Sequence, residues 1–249
     1  MIDGFQTYDT HTHIGVARHS GSVVTADDML RSMDRHGVDR AVLIPFPVVE
    51  DCRAAHDEIG RAVKQHPDRF TGAACQYPFI PEQEFRDEIR RCVEVWGLRA
   101  MKFQPQFQPL NPISPRAQFL FETAAEHGLP LICHTGTGAP FALPSLFILP
   151  AQEHPELTII LAHAGSSVYV GEAIVAATVC PNIYVELSSL MPHHMAGVLE
   201  RVEPSRLMIG SDIPASVQTE LGKIIDYDMP DEAKRQILWE TPRRVFDGA

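Results

Sequence analysis

Eight short apolar runs with strand character recur along this chain, most of them followed by a stretch of helical periodicity. That alternation restricts the folds open to it more than any other feature. The runs are Thr7 to His13, Arg40 to Ile44, Thr71 to Cys75, Leu98 to Phe103, Leu131 to His134, Thr158 to His163, Ile183 to Leu187 and Leu207 to Ile209. Between them lie the amphipathic segments Asp27 to His36, Ala54 to Gln65, Glu82 to Trp96, Pro115 to His127, Ser167 to Val179 and Met195 to Val202, and Asp231 to Phe246 closes the chain. His36-Gly37-Val38 and His127-Gly128-Leu129 carry glycine where a helix stops shortly before the next strand. Strands alternating with helices imply a parallel sheet. Eight such units in 249 residues predict an α/β protein, a closed (β/α)8 TIM barrel forming a single domain over residues 1–249.

The composition suits that fold and narrows the function. Hydrophobic residues at 45% supply a sizeable core, and a formal net charge of -11 opposes binding to a phosphate backbone, so no nucleic-acid partner is expected. Met1-Ile2-Asp3-Gly4-Phe5 lacks the basic and then apolar pattern of a signal peptide, and no run is apolar enough for a membrane span. A cytoplasmic protein without a membrane partner is the expectation. Cys52, Cys75, Cys92, Cys133 and Cys180 are odd in number and lack Cys-X-X-Cys spacing, so reduced and mostly buried thiols are predicted.

The chemistry is expected at the strand ends. In Asp9-Thr10-His11-Thr12-His13 the two histidines share one face of a strand and can grip one ion. His134, His163 and Asp212 each stand directly after an apolar strand run, and a closed barrel would carry all five residues to one rim. Three imidazoles and a carboxylate suit zinc or a similar divalent cation with an open position for water or substrate. His11, His13, His134 and Asp212 are therefore the expected metal ligands. His163 is expected to polarise the substrate or move a proton, with Asp212 as a second proton carrier. His36, His66, His127 and His154 sit near helix ends, where a cation is favoured electrostatically, and need no catalytic role.

Tyr8-Asp9-Thr10-His11-Thr12-His13-Ile14-Gly15, Pro130-Leu131-Ile132-Cys133-His134-Thr135-Gly136, Leu161-Ala162-His163-Ala164-Gly165 and Ile209-Gly210-Ser211-Asp212-Ile213-Pro214 resemble the ordered motifs of the amidohydrolase superfamily, in particular its amidohydrolase-related branch. The resemblance implies a metal-dependent barrel with His11, His13, His134 and Asp212 as ligands and His163 as the catalytic histidine. Ala164-Gly165-Ser166-Ser167 departs from the double glycine that often follows the last histidine, and Thr241-Pro242-Arg243-Arg244 from the usual start of the last helix. TatD-like nucleases also open on Asp-X-His-X-His but would place a glutamate near Lys102-Phe103-Gln104. The PHP phosphoesterases would need an Asp-X-His that Ser211-Asp212-Ile213-Pro214 does not supply.

Lys102 has two readings. Binuclear members carry a carboxylated lysine on this strand, whereas a plain ammonium would bind an anionic substrate, the reading preferred here. Arg18 after the first strand is a further candidate for clamping a carboxylate, and His19, Phe46, Phe107, His193 and His194 occupy rim loops. The expected function is hydrolysis of a small polar molecule such as a lactone, amide or cyclic amide, with one divalent metal, zinc by preference. Metal and His163 would stabilise the oxyanion while Asp212 carries the proton. The alternative is non-oxidative decarboxylation of an aromatic or unsaturated carboxylic acid. The expected partner is a small-molecule substrate, anionic if Lys102 meets it, and a homodimer is compatible with the sequence.

Overall fold

The computed structural model describes residues 1–248. Its strands are β1 (Tyr8–Val16), β2 (Val23–Val24), β3 (Arg40–Pro45), β4 (Phe70–Ala74), β5 (Ala100–Phe103), β6 (Leu131–His134), β7 (Ile159–Ala162), β8 (Ile183–Glu186) and β9 (Leu207–Met208). The helices are α1 (Ala26–His36), α2 (Cys52–Gln65), α3 (Glu82–Trp96), α4 (Gln118–Glu126), α5 (Ile148–Glu153), α6 (Ser166–Val179), α7 (Pro192–Leu199), α8 (Val217–Ile225), α9 (Asp231–Arg235) and α10 (Thr241–Asp247).

Eight strands run parallel in chain order, β1-β3-β4-β5-β6-β7-β8-β9, and β2 pairs antiparallel on the outer end of β1. Beyond β9 the chain returns to β1: Thr10 N donates to Ile209 O at 3.0 Å, Asp212 N to His11 O at 2.7 Å, and His13 N to Asp212 O at 2.9 Å. These bonds bring the two ends of the sheet together, as the (β/α)8 reading requires. Gly210 allows the approach, because a Cβ there would stand 2.5 Å from that of His11.

All eight expected runs fall on these strands within two or three residues of the predicted ends. The two-residue β2 and helices α5 and α8 carry no comparable sequence signal. Asp231 to Phe246, expected as one helix, divides into α9, a π-helical turn at Gln236–Glu240, and α10. Pro242 offers no N–H to continue the α-helical ladder and crowds the preceding turn, which the wider turn relieves. The stretch from Pro115 opens as a tight Pro115–Ala117 turn before α4. Local signals hold elsewhere: Thr25 and Asp28 form a capping box at the start of α1, and Gly37 ends that helix in the left-handed conformation.

The parallel strands are buried on both faces. Ala41 and Leu43 of β3 face the helices, while Val42 and Ile44 join Tyr8, Ala73, Ala100, Ile132, Ile160, Ala162 and Met208 inside the barrel. Strand alternation then points Lys102, His134 and Glu186 inward too, two residues beyond Ala100, Ile132 and Tyr184. Strict alternation would turn His11 and His13 away from the side that Tyr8 faces. A bulge between Asp9 and Thr12 shifts the register and aims both imidazoles inward, a recurrent use of such irregularities beside active sites. All five cysteines are free, and four of them are buried. No helix is long and apolar enough to cross a membrane among the described residues.

Candidate metal centre

The side chains that converge are His11 and His13 from β1, Lys102 from β5, His134 from β6, His163 directly after β7, Glu186 from β8 and Asp212 after β9. Lys102, His134, His163, Glu186 and Asp212 stand at or just beyond the C-terminal ends of their strands, where this architecture places its chemistry, and His11 and His13 reach the same rim from within the longer β1. His163 and Asp212 hold left-handed backbone conformations, with φ of 67° and 64°. Such strain in non-glycine residues is sustained by their surroundings and is concentrated at functional sites. For Asp212 the support is its pair of backbone bonds to β1.

Hydrogen bonding fixes which ring nitrogen of each histidine is bare. His11 Nδ1 lies 3.2 Å from Glu186 Oε2 and His13 Nδ1 lies 3.0 Å from Pro45 O, both pure acceptors, so each Nδ1 carries the proton. Ser188 gives its hydroxyl proton to Glu186 at 2.8 Å and so accepts from His163 Nδ1 at 2.7 Å. The Nε2 lone pairs of all three histidines therefore face the centre. His134 is reversed: its Nε2 donates to Thr137 O at 2.8 Å, and its Nδ1 is buried without a partner.

These lone pairs surround one carboxylate. Asp212 Oδ1 lies 3.6 Å from His11 Nε2, 3.6 Å from His13 Nε2 and 3.9 Å from His163 Nε2. Burial keeps the imidazoles neutral, pushing His13 down to about 4 and His163 to about 3, with Lys102 and His11 respectively adding to the effect. His11 and His134 are held well below the usual histidine value for the same principal reason. Burial opposes the charge on Asp212, but positive charge within the cluster of His11, His13, His163 and Lys102 outweighs it and keeps its carboxyl well below the ordinary range; with the imidazoles neutral, that charge is the Lys102 ammonium. Lys102 is pushed down to about 8 by burial, against the pull of Asp212.

This donor set fits a divalent cation. His13 Nε2, 3.2 Å from His11 Nε2 with no proton between them, and the orphaned interior Nδ1 of His134 each lack an electrophile, while His11 Nε2 is met only by the Lys102 ammonium at 2.8 Å. The donor atoms of His11, His13 and Asp212 lie within 4.8 Å of one another, as do those of His11, His163 and Glu186. His134 belongs to neither trio; its ring centre is 5.0 Å from that of His163. A third group, His56, Glu88 and Cys92, has no lone pair to offer from its histidine. His56 Nδ1 meets Glu88 at 2.9 Å and its Nε2 accepts from Cys75 N at 3.0 Å.

Sequence reasoning overlooked Glu186. Besides His11 and Ser188 it accepts from His163 N at 3.1 Å, Ser188 N at 2.7 Å and Gly210 N at 2.8 Å. The signal was present, since a carboxylate ending the apolar strand Ile183-Tyr184-Val185-Glu186 must find buried donors. Asp9 supports the other side, accepting from the backbone and side chain of Ser211 at 2.9 and 2.5 Å. Burial pushes its carboxyl up to about 7.

Above the centre lies a cavity of about 340 Å³ lined by His13, His134, His163 and Asp212, with His19, Phe46, Gln104 and Phe107 on its walls. Phe46 stacks on His13 at 5.4 Å, and His19 packs on Phe107 at 4.5 Å. Arg18 is not on this wall; it pairs with Glu50 on the exposed surface. His193 and His194 sit in the first turn of α7, also away from the lining.

Fold and centre together define a class: a (β/α)8 barrel whose C-terminal rim gathers side chains able to hold a metal ion. A family model for amidohydrolases matches residues 8–248, and the chain belongs to that family. No curated protein matches the sequence closely enough to count as a relative. Solved structures with the same fold include 5-carboxyvanillate decarboxylase from Novosphingobium aromaticivorans, complexed with manganese and 4-hydroxy-3-methoxy-5-nitrobenzoic acid. Its TM-score is 0.78 at 17% identity, over 98% of this chain and 96% of that one. A probable 2-pyrone-4,6-dicarboxylic acid hydrolase from Acinetobacter baumannii gives 0.71 at 14% identity over 98% and 100% of the two chains. The 4-oxalomesaconate hydratase from Rhodopseudomonas palustris gives 0.70 at 16% identity over 97% and 95%. Such distant likeness establishes the fold, which here hosts different reactions.

Proposed function

We propose that this protein is a metal-dependent hydrolase of a small polar substrate, a lactone, amide or cyclic amide. The observation that carries this reading is the position of the ionised Asp212 carboxylate among three imidazoles whose bare nitrogens face it. His11, His13, His134 and Asp212 would hold one divalent ion, with zinc the metal expected for nitrogen-rich ligation. When bound, that ion would polarise the scissile carbonyl and acidify water. Asp212 takes the proton released as water attacks. His163 Nε2, unprotonated at the outset and 3.9 Å from Asp212 Oδ1, would receive that proton through one intervening water and return it to the leaving atom. In this tautomer His163 starts as an acceptor, so help to the oxyanion must come from another donor. Lys102 supplies positive charge for an anionic substrate group.

A second reading is non-oxidative decarboxylation of an aromatic or unsaturated acid. The buried Lys102 favours it, together with the Phe46, Phe107 and His19 rings that flank the cavity and suit a flat carboxylate. The discriminating experiment incubates zinc-loaded protein with dihydrocoumarin and, separately, with hydroxybenzoates. Proton release from the lactone, abolished in Asp212→Asn, supports hydrolysis. Carbon dioxide evolution without lactone cleavage overturns it in favour of the second reading.

A further inference from the structure

Unlike His134, whose Nε2 is held by Thr137 O, Gln104 is a cavity-wall side chain that makes no side-chain hydrogen bond among the described residues. It is 5% exposed, and its Oε1 is buried without a hydrogen-bond partner. Its backbone, by contrast, is fully employed: the carbonyl accepts from Phe107 N at 3.0 Å and Gln108 N at 2.8 Å, and the amide donates to Gln108 Oε1 at 2.9 Å. Gln108 is anchored in turn on Gln76 O at 3.1 Å. The loop is therefore tied down while the carboxamide it presents is left free beside His13, His134, His163 and Asp212. Burying an unpaired amide is unfavourable, and such groups in native proteins call for an explanation. The sealed atom is the oxygen; the NH2 is neither sealed nor bonded within the protein, so it is the edge of Gln104 open to the cavity that this residue lines. The tautomers derived above give that NH2 a use: none of the histidines starts with a proton free for a substrate oxygen.

We propose that Gln104 is a catalytic residue, its Nε2–H binding the carbonyl or carboxylate oxygen of the substrate and donating to the oxyanion as it forms. The catalytic part rests on the hydrolase reading; the binding part does not.

The test uses zinc-loaded wild type, Gln104→Met and Gln104→Glu, with benzoate as the probe in calorimetric titration and dihydrocoumarin as the turnover substrate. Gln104→Met should weaken benzoate binding about tenfold, the loss of one hydrogen bond to a charged group. It should lower kcat for the lactone about 100-fold, as removal of an oxyanion donor does. Gln104→Glu, which sets a carboxylate against the probe, should abolish benzoate binding. Metal content should stay at the wild-type value in both variants. The melting temperature of Gln104→Met should rise by about 2–4 °C, because an unpaired buried amide has gone; a residue serving only the fold would lower it. Benzoate affinity unchanged within about twofold, or absent in wild type at millimolar concentration, overturns the proposal. Gln104-dependent benzoate binding with no lactone cleavage by wild type leaves the oxygen-binding role standing and overturns the hydrolase reading alone.

Discussion

His11 and His13 direct their bare Nε2 atoms at each other across 3.2 Å, each ring oriented by an acceptor on its far side. Two lone pairs at that separation repel, and the rings cannot turn without giving up their bonds to Glu186 and Pro45 O. The Lys102 ammonium, 2.8 Å from His11 Nε2, relieves part of this repulsion and leaves the His13 lone pair for a metal cation. A chelator should lower Tm and zinc should restore it. A thousandfold excess over Kd is worth about 4 kcal/mol, or about 10 °C in a chain of this size. His13→Ala should fold without retaining metal, as elemental analysis of the purified variant would show. An active, metal-free His13→Ala would refute the ligand assignment.

Glu186 joins β1, β7, β8 and the chain after β9 through its contacts to His11, His163, Ser188 and Gly210. Gln in its place turns two N–H donors toward groups that are themselves donors. Glu186→Gln should therefore cost about 2–4 kcal/mol in urea unfolding. Freeing the His11 ring should also weaken metal affinity by about 10–100-fold. A variant with wild-type affinity would show that His11 needs no support from behind.

Glu88, between α2 and α3, is independent of the metal centre. Burial would raise its pKa, but bonds from His56 and Arg91 prevail and push it down to about 2 from an ordinary 4.5. A depressed carboxyl stabilises the fold above its unfolded pKa and loses that contribution as pH falls toward the folded value. Stability should thus decline from about pH 4.5 toward pH 2 by about 3 kcal/mol, and Glu88→Gln should flatten that part of the profile. Urea titrations across this window would reveal it.

Arg18→Ala should leave kcat/KM within about twofold, since its partner Glu50 is exposed and such pairs contribute little. A larger loss would mean that the loop swings its guanidinium over the cavity when substrate binds.

The barrel was legible because each β/α unit is a local pattern, and burial of parallel strands on both faces writes apolar runs into the sequence. The site histidines were legible for the same reason: a polar residue ending such a run has only the rim to occupy. Glu186 obeys that rule yet was passed over as part of a strand. Gln104 carries no signal of its own, because an unpaired amide is recognisable only once its neighbours are known. The bulge at Asp9 likewise depends on a register set by β3, and Arg18 looked functional until the fold placed Glu50 beside it.

Lys102 decides how many ions the centre holds. Its Nζ donates to His11 Nε2 at 2.8 Å, so the ammonium occupies the lone pair that a metal would need. As a plain lysine it competes with the ion and repels it, and Lys102→Met should keep one metal per chain. Removing a buried charge at this distance should raise metal affinity at least about tenfold. The same change should raise KM for carboxylate substrates about 10–100-fold while neutral lactones are spared, because the cation that attracts the anion is gone. A carboxylated Lys102 predicts the reverse: about two ions per wild-type chain, about one in Lys102→Met, and no gain in affinity. Elemental analysis of the two proteins, each purified without added metal, separates the cases, since the first keeps the ratio constant and the second halves it.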